Sequence, residues 1–119
     1  MNLFKVVVAG GRYFNDYDLL KNKLDRLLTN YLPHVEIVSG GATGADSLGE
    51  RYATENGLKL KIFPADWATY GKAAGPIRNH EMSCYCDGVV LFWDGISRGT
   101  KNMMDCAKKQ CKPTRVIRY

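Results

Sequence analysis

The stretch that decides the fold is Leu3-Phe4-Lys5-Val6-Val7-Val8-Ala9-Gly10-Gly11-Arg12. Its valine run has the composition of a strand buried on both faces, as the strands of a parallel sheet are. Two glycines end the run, where the chain must turn away toward the next element. The stretch therefore predicts that the first strand of a parallel α/β sheet runs from Leu3 to Ala9.

The same alternation of short apolar runs and helical patterns continues along all 119 residues. The later strands are predicted at Val35 to Ser39, Leu58 to Phe63, Gly88 to Trp93 and Thr114 to Arg118. The helices between them are predicted from about Asp16, from about Ala42 to Asn56, Pro76 to Tyr85 and Thr100 to Gln110, with a loop over Pro64 to Gly75. The predicted fold class is α/β, a Rossmann-like, doubly wound, three-layer sandwich with a five-stranded parallel sheet.

The composition, with 45% hydrophobic and 24% charged residues, is that of an ordinary globular protein. We expect residues 1–119 to form a single domain, because no linker, repeat or low-complexity segment interrupts them. The longest apolar stretches, Val6 to Ala9 and Val89 to Trp93, are far shorter than the roughly 20 residues that cross a bilayer. The N-terminus lacks the pattern of a signal peptide, so a cytoplasmic protein without a membrane partner is expected.

The four cysteines, Cys84, Cys86, Cys106 and Cys111, are predicted to be reduced thiols. Their spacing does not match the paired C-x2-C pattern of zinc sites, and we predict no metal site.

The positive charge is concentrated at the end of the chain. Residues 98–119 carry seven basic side chains and one acidic one, whereas the whole chain has a net charge of +5. A basic end can bind nucleic acid or an acidic ligand. The alternative, which we favour slightly, is a helix whose last turn carries lysines because cations suit a helix C-terminus.

Four polar loops that contain glycine follow the first four predicted strands. Ligands of such sheets bind beyond the carboxyl ends of the strands, so these loops predict a site there. Glycine lets an anion approach backbone N–H groups at a helix start, although it also serves simple tight turns. The loops are Gly10-Gly11-Arg12, Ser39 to Asp46, Asp66 to Asn79 and Asp94 to Thr100.

The glycine patterns are neither a dinucleotide fingerprint nor a P-loop. We therefore predict no nicotinamide cofactor and no resident cofactor of another kind. The segments Ser39-Gly40-Gly41 and Ser97-Arg98-Gly99-Thr100 are instead predicted to hold phosphate at helix starts. A phosphate-bearing ligand is expected among Gly10 to Arg12, Gly40 to Gly44 and Ser97 to Thr100.

The charged side chains of these loops have two interpretations each. Arg12 and Arg78 could hold a phosphate bidentately or act as surface charges, and Arg78 is the stronger candidate because Gly75-Pro76 fixes it beside a helix start. Asp46 could accept ribose hydroxyls or only stabilise the helix dipole. Asp94 could serve as a base or a hydroxyl acceptor.

Two aromatic residues of the third loop, Trp67 and Tyr70, could stack on a base or pack as a cover over the sheet edge. The two histidines, His34 and His80, lack a partner pattern that favours catalysis and are predicted to be structural.

Five ordered motifs are shared with a known family: Val8-Ala9-Gly10-Gly11-Arg12, Ser39 to Asp46, Ala65-Asp66-Trp67 with Tyr70-Gly71-Lys72, Gly75-Pro76-Ile77-Arg78-Asn79, and Phe92-Trp93-Asp94-Gly95 with Ser97 and Gly99-Thr100. The sequence resembles the YspA-type, cpYpsA-related family of the SLOG superfamily, whose relatives include the LOG proteins and DNA-processing protein A. The resemblance covers nearly the whole chain. It implies a Rossmann-like domain that binds nucleotides, is found in bacteria and bacteriophages, and can form a homodimer.

The resemblance also implies a set of ligand-binding residues. Arg78 falls where the LOG phosphoribohydrolases keep an active-site arginine, and Gly95 to Thr100 corresponds to their phosphate-binding segment. The predicted ligand-binding residues are Gly10, Gly11, Arg12, Ser39, Gly40, Gly41, Gly44, Asp46, Trp67, Arg78, Asn79, Asp94, Ser97, Gly99 and Thr100.

One position departs from the LOG pattern. Met103 stands where the catalytic glutamate of that pattern would be, and a thioether cannot act as a base. We therefore expect weak or absent LOG-type activity. If the site is catalytic, Arg78, Asp46 and Asp94 are the candidate catalytic residues.

Three functional hypotheses follow. The first is binding of a nucleotide or nucleotide-derived small molecule at the carboxyl edge of the sheet, as a sensor, sequestering or processing module. The second is an N-glycosidic hydrolase that acts on such a ligand. The third is single-stranded DNA binding through the basic C-terminus with Trp67 or Tyr70, which we regard as the weakest of the three.

Overall fold

The computed structural model describes residues 2–119, which contain a five-stranded parallel sheet with the strand order β3-β2-β1-β4-β5. The order reverses between β1 and β4, so the sheet is doubly wound and the predicted fold class is confirmed. The strands are β1 (Phe4–Gly10), β2 (Val35–Ser39), β3 (Lys59–Ile62), β4 (Gly88–Trp93) and β5 (Thr114–Arg118).

Helices cover both faces of the sheet because the central strands are apolar on both sides. Val6 and Val8 of β1 point into a core shared with the first two helices, and Val7 points into a second core shared with the last two. The helices are α1 (Tyr17–Leu27), α2 (Ala45–Glu55), α3 (Trp67–Tyr70), α4 (Ala74–Tyr85) and α5 (Arg98–Lys109), with a 3₁₀ turn at Gly71–Ala73. Among residues 2–119, no helix is long and apolar enough to span a membrane.

The segment predicted as a loop over Pro64 to Gly75 differs from the prediction. It contains α3, which begins where the Asp66 carboxylate accepts a hydrogen bond of 3.1 Å from the Thr69 N–H. Helix α4 also starts earlier than predicted, at Ala74, so that Pro76 lies in its first turn. Proline is tolerated there because the first N–H groups of a helix have no intrahelical acceptor.

Two other helices start two or three residues away from their predicted first residues. Helix α2 begins at Ala45, since the preceding Gly44 has a φ of +77° and cannot be helical. Helix α5 begins at Arg98, because the Ser97 hydroxyl caps it by accepting from the Thr100 N–H. Both starts lie at the edge of the sheet where the site was predicted.

The two strands at the switch point approach each other closely at their carboxyl ends. Gly10 pairs with Phe92, and a Cβ atom on Gly10 would overlap the Phe92 carbonyl oxygen. Glycine is therefore required at this position by the close approach of β4. The gap that opens beyond this pair of strands positions the candidate site.

Candidate ligand-binding cleft

A cleft of about 1300 Å³ opens beyond the carboxyl ends of the strands. All but two of the predicted ligand-binding residues line it, so the four loops do converge in space. The lining residues from that set are Gly10, Gly11, Arg12, Gly40, Gly41, Asp46, Trp67, Arg78, Asn79, Asp94, Ser97, Gly99 and Thr100.

The two that do not line the cleft, Ser39 and Gly44, support its wall. The Ser39 hydroxyl donates to Glu50 Oε2 at 2.7 Å and accepts from the Gly41 N–H at 3.1 Å. Gly44 lies against the backbone that follows β1, where a Cβ atom would overlap the Gly11 carbonyl oxygen. That same carbonyl accepts the Ala45 N–H at 3.1 Å, which joins the start of α2 to the first loop.

Arg78, near the start of α4, crosses the cleft wall to the loop after β2. Its Nη1 donates to the Gly40 carbonyl and, at 3.5 Å, to the Phe63 carbonyl, while its Nε donates to Asn79 Oδ1 at 3.0 Å. Nη2 has no acceptor within residues 2–119, yet no buried polar side-chain atom there lacks a partner. Nη2 is therefore open to the solvent of the cleft, and its two N–H groups can bind a ligand.

Asn79 holds Arg78 in this position. It is 6% exposed, and its Nδ2 donates to Asn102 Oδ1 at 2.9 Å and to the Gly99 carbonyl at 3.4 Å. Asn79 thus ties α4 to the first turn of α5 and fixes the guanidinium through Nε.

Asp46 is the buried acid of the cleft, with 5% of its surface exposed. Its Oδ2 accepts the Ala42 N–H at 3.3 Å. Burial raises the pKa of Asp46 above its ordinary value, and the nearby Glu50 acts in the same direction, whereas the Ala42 N–H and Arg78 oppose the shift. Burial in turn lowers the pKa of Arg78, and Asp46 counters that change. A carboxyl group in this setting can accept a hydrogen bond from a sugar hydroxyl or, when it is protonated, donate a proton.

The turn before α5 already uses several of its own N–H groups. Asp94 Oδ1 accepts from Ile96 N at 2.8 Å and from Ser97 N at 2.9 Å, and these bonds lower the pKa of the Asp94 carboxyl. The Ser97 hydroxyl also accepts from the Thr100 N–H. Side chains of this turn therefore already bind part of the N–H groups that were predicted to hold phosphate. In the described chain, the donors left without a side-chain acceptor at this helix start are the N–H groups of Arg98 and Gly99.

The two aromatic candidates lie differently. Trp67 lines the cleft and is 51% exposed, with a ring atom 3.3 Å from the position of a Cβ on Gly75. Tyr70 is equally exposed but does not contribute to the cleft lining. Of the two aromatic candidates, Trp67 is therefore the one that lines the cleft.

Sequence reasoning missed several lining residues. Glu50 lies one helical turn after Asp46, and this i,i+4 spacing could have identified it. Tyr119 comes from the end of the chain, packs on Phe14 with ring centroids 4.7 Å apart, and has no motif around it. Met103, which the resemblance to LOG proteins had already singled out, forms part of the cleft floor but is 1% exposed and packed in the core.

Comparison with known proteins identifies the family. The profile of the YspA, cpYpsA-related SLOG family (YAcAr) matches residues 4–70, which contain β1 through α3 and most of the cleft glycines. The chain belongs to this SLOG family. Gene 61 protein of Mycobacterium phage D29 is 33% identical over 115 residues, a match that covers 88% of this SLOG chain and 89% of the phage protein.

Two solved structures resemble the SLOG chain. DNA processing protein A (DprA) from Streptococcus pneumoniae has a TM-score of 0.75 at 19% identity over 99% of this chain. The structure of DprA from Helicobacter pylori, described for its single-stranded DNA binding mode, has a TM-score of 0.67 at 21% identity over 97% of this chain. The chain spans 51% and 65% of the lengths of these two proteins. At such low identities the likeness concerns the fold alone.

The charges that line the cleft of the SLOG chain are balanced. Three arginines, at positions 12, 78 and 98, face three carboxylates, at positions 46, 50 and 94. Within residues 2–119, no three His, Cys, Asp or Glu side chains lie close enough together to hold a metal ion. The cleft therefore offers arginine guanidinium groups that can bind an anionic group and carboxylates that can accept hydrogen bonds from hydroxyl groups.

Proposed function

We propose that the cleft binds a nucleotide or a nucleotide-derived small molecule. The observation that carries this proposal is the position of Arg78, whose open Nη2 edge and buried neighbour Asp46 reach the same part of the cleft. A guanidinium edge suits a phosphate, and a carboxylate beside it suits the hydroxyl groups of a ribose.

The balance of charges favours a small ligand over a long polyanion in the cleft itself. A strand of nucleic acid would bring a phosphate to every nucleotide, whereas half of the charged groups that line the cleft are carboxylates. One phosphate group at Arg78, a sugar near Asp46 and a base on Trp67 match the distribution of these groups. This arrangement would serve a sensor, a sequestering protein or a processing enzyme.

The proposal is tested with a panel of nucleoside mono-, di- and triphosphates and inorganic phosphate. Thermal shift measurements identify the binding members of the panel, and isothermal titration calorimetry measures their affinity. We expect at least one nucleotide to bind more tightly than inorganic phosphate, since the sugar and base add contacts. Equal affinity for all members, including phosphate alone, would contradict a nucleotide site.

The same incubations separate a binding protein from an N-glycosidic hydrolase. Chromatography of the panel after incubation detects release of the base. A hydrolase requires a carboxylate near the sugar, and Asp46 and Glu50 are the candidates that line this part of the cleft. The homodimer that the family resemblance implies stays a prediction, which sedimentation velocity can test.

A second candidate function is single-stranded DNA binding. It is favoured by the fold likeness to DprA of Helicobacter pylori, whose structure is described for its single-stranded DNA binding mode. A DNA strand could place one nucleotide in the cleft and leave its other phosphates outside it. Anisotropy of a labelled oligonucleotide at several salt concentrations tests this candidate, because phosphate contacts make affinity fall with salt.

A further inference from the structure

A second concave surface lies between α1 and the edge strand β5, and it shares no lining residue with the cleft. We call it the α1–β5 groove. It has a volume of about 500 Å³, and four of its seven lining residues are basic. The lining residues are Lys23, Arg26, Leu27, Arg115, Val116, Ile117 and Arg118.

No acidic residue lines this groove, in contrast to the cleft. The ion pairs formed within residues 2–119 are Lys21–Asp25, Arg51–Glu55 and Lys101–Asp105, and none of them uses a cation of the groove. Three of the four cations, Arg26, Arg115 and Arg118, are exposed, and Lys23 is half-buried. The groove therefore has a concentrated positive potential without a carboxylate in its lining.

The groove and the cleft meet at the end of β5. A Cβ atom on Gly95, in the turn between β4 and α5, would overlap the guanidinium of Arg118. The next residue, Tyr119, is 47% exposed and lines the cleft. The positive surface thus begins at the mouth of the cleft and runs along the sheet edge toward α1.

Aromatic rings lie at this junction. The guanidinium of Arg118 is 5.3 Å from the centre of the Trp93 ring, and Tyr119 lies one residue further along the chain. Cations beside partly exposed rings are the combination that binds single strands, since phosphates follow the cations and unpaired bases stack on the rings.

We propose that the α1–β5 groove binds the phosphodiester backbone of single-stranded DNA as the strand leaves the cleft. This inference rests on the second candidate function, single-stranded DNA binding, and assigns it a surface that the cleft residues do not include. The side chains of Lys23, Arg26 and Arg115 contact successive phosphates, and Arg118 with Tyr119 guides the strand out of the cleft.

The test measures anisotropy with a fluorescein-labelled thymidine oligonucleotide of about a dozen nucleotides, within the range of single-strand site sizes. The groove variant combines Arg26→Gln with Arg115→Gln, and the matched control combines Lys108→Gln with Lys109→Gln at the exposed end of α5. Both double variants remove two positive charges. The cleft is tested separately with Arg78→Ala.

We expect the groove variant to bind at least about tenfold more weakly than the native chain at low salt. The slope of log K against log salt should also become shallower by roughly 1.4, since each single-strand phosphate contact contributes about 0.7. The control should keep nearly the native slope. Circular dichroism should show that both variants remain folded, because the substituted side chains are exposed.

Three results would contradict the proposal that the groove binds DNA. They are native affinity in the groove variant, an equal loss of affinity in the control variant, and no binding of the oligonucleotide by the native chain at low salt. The first of these, together with a loss in Arg78→Ala, would leave DNA binding to the cleft alone. Mononucleotide binding, measured by calorimetry, should be unchanged in the groove variant, so failure of the groove is distinguishable from failure of the cleft.

Discussion

The side chains of Arg78 and Asp46 converge on the backbone of Gly40. A Cβ atom on Gly40 would lie 2.5 Å from Arg78 Nη1 and 2.8 Å from Asp46 Oδ2. The glycine therefore serves here to make space for two charged groups from α4 and α2. This relationship links the second glycine loop directly to the proposed phosphate and ribose contacts.

Substitution of Gly40 by alanine should disturb both groups at once. We expect Gly40→Ala to lower the free energy of unfolding by about 1–3 kcal/mol, as overpacked sites do, and to weaken nucleotide binding. Urea unfolding and calorimetry measure the two effects. Gly99→Ala is the matched control for stability, because a Cβ atom there meets no neighbour within 4 Å. A stability loss in the control as large as in Gly40→Ala would contradict the packing argument.

Removal of the Arg78 side chain should weaken nucleotide binding far more than removal of the Lys109 side chain. A charge-assisted hydrogen bond in a partly buried site contributes about 1.5–3 kcal/mol, whereas an exposed lysine acts through a screened field. Calorimetry of Arg78→Ala and Lys109→Ala compares them. Arg78→Lys adds a test of geometry, since lysine keeps the charge but loses the fork that reaches the Gly40 carbonyl. Equal losses at positions 78 and 109 would mean that overall charge drives binding.

The two carboxylates Asp46 and Asp94 should affect stability in opposite directions as pH changes. Burial raises the folded-state pKa of Asp46 above 3.8, so its ionisation disfavours folding increasingly as pH rises through and above that value. Asp46→Asn should therefore become more stable relative to the native chain as the pH rises above about 4.

Asp94 is the control for this effect. Its folded-state pKa is lowered from 3.8 by the N–H groups of Ser97 and Ile96, so its charge stabilises the fold above that pH and the contribution is lost as pH falls. Asp94→Asn should lose stability relative to the native chain mainly at neutral pH. Denaturant unfolding of both variants at several pH values measures the differences. A shift of the same sign in both variants would contradict the two environments described.

Release of base from purine nucleoside monophosphates should be weak or absent in the native chain. By the resemblance to LOG proteins, Met103 stands where their catalytic glutamate would be, and loss of one preorganised electrostatic group typically lowers a rate by roughly 100- to 1000-fold. Met103→Glu tests whether the charge restores activity, with the uncharged Met103→Gln as the control. Because Met103 is 1% exposed, both variants should be less stable, and unfolding measurements must accompany the assay. Robust native turnover that survives Asp46→Asn, Glu50→Gln and Asp94→Asn would contradict this assignment of the site.

The central strands β1, β2 and β4 were predictable because they are apolar runs with clear ends. The bounds predicted for β2, β4 and β5 agree with the structure, and those of β1 and β3 differ by one residue at each end. The short helix α3 was missed because its four residues are too few to show a helical period, although Asp66 provides an ordinary cap.

The convergence of the glycine loops was also predictable, because parallel strands bring their carboxyl ends to one edge. The α1–β5 groove could not be read from the sequence. Its cations Lys23 and Arg26 lie about ninety residues before Arg115 and Arg118 in the chain. The two pairs come together only because β5 is the edge strand next to β4 and α1 packs beside it. The spacing of residues in the sequence also could not show that the Asp94 carboxylate accepts hydrogen bonds from N–H groups of its own turn.

The contact between Gly44 and the Gly11 carbonyl makes the first two loops of the cleft a single mechanical unit. The Ala45 N–H donates to that carbonyl, so α2 cannot shift without moving the chain that follows β1. The segment from Pro64 to Ala73, which contributes Pro64, Ala65 and Trp67 to the cleft lining, has largely exposed residues. A ligand stacked on Trp67 would therefore order this exposed segment, while the first two loops stay fixed. Slower amide hydrogen exchange on nucleotide binding is expected mainly in residues 64–73.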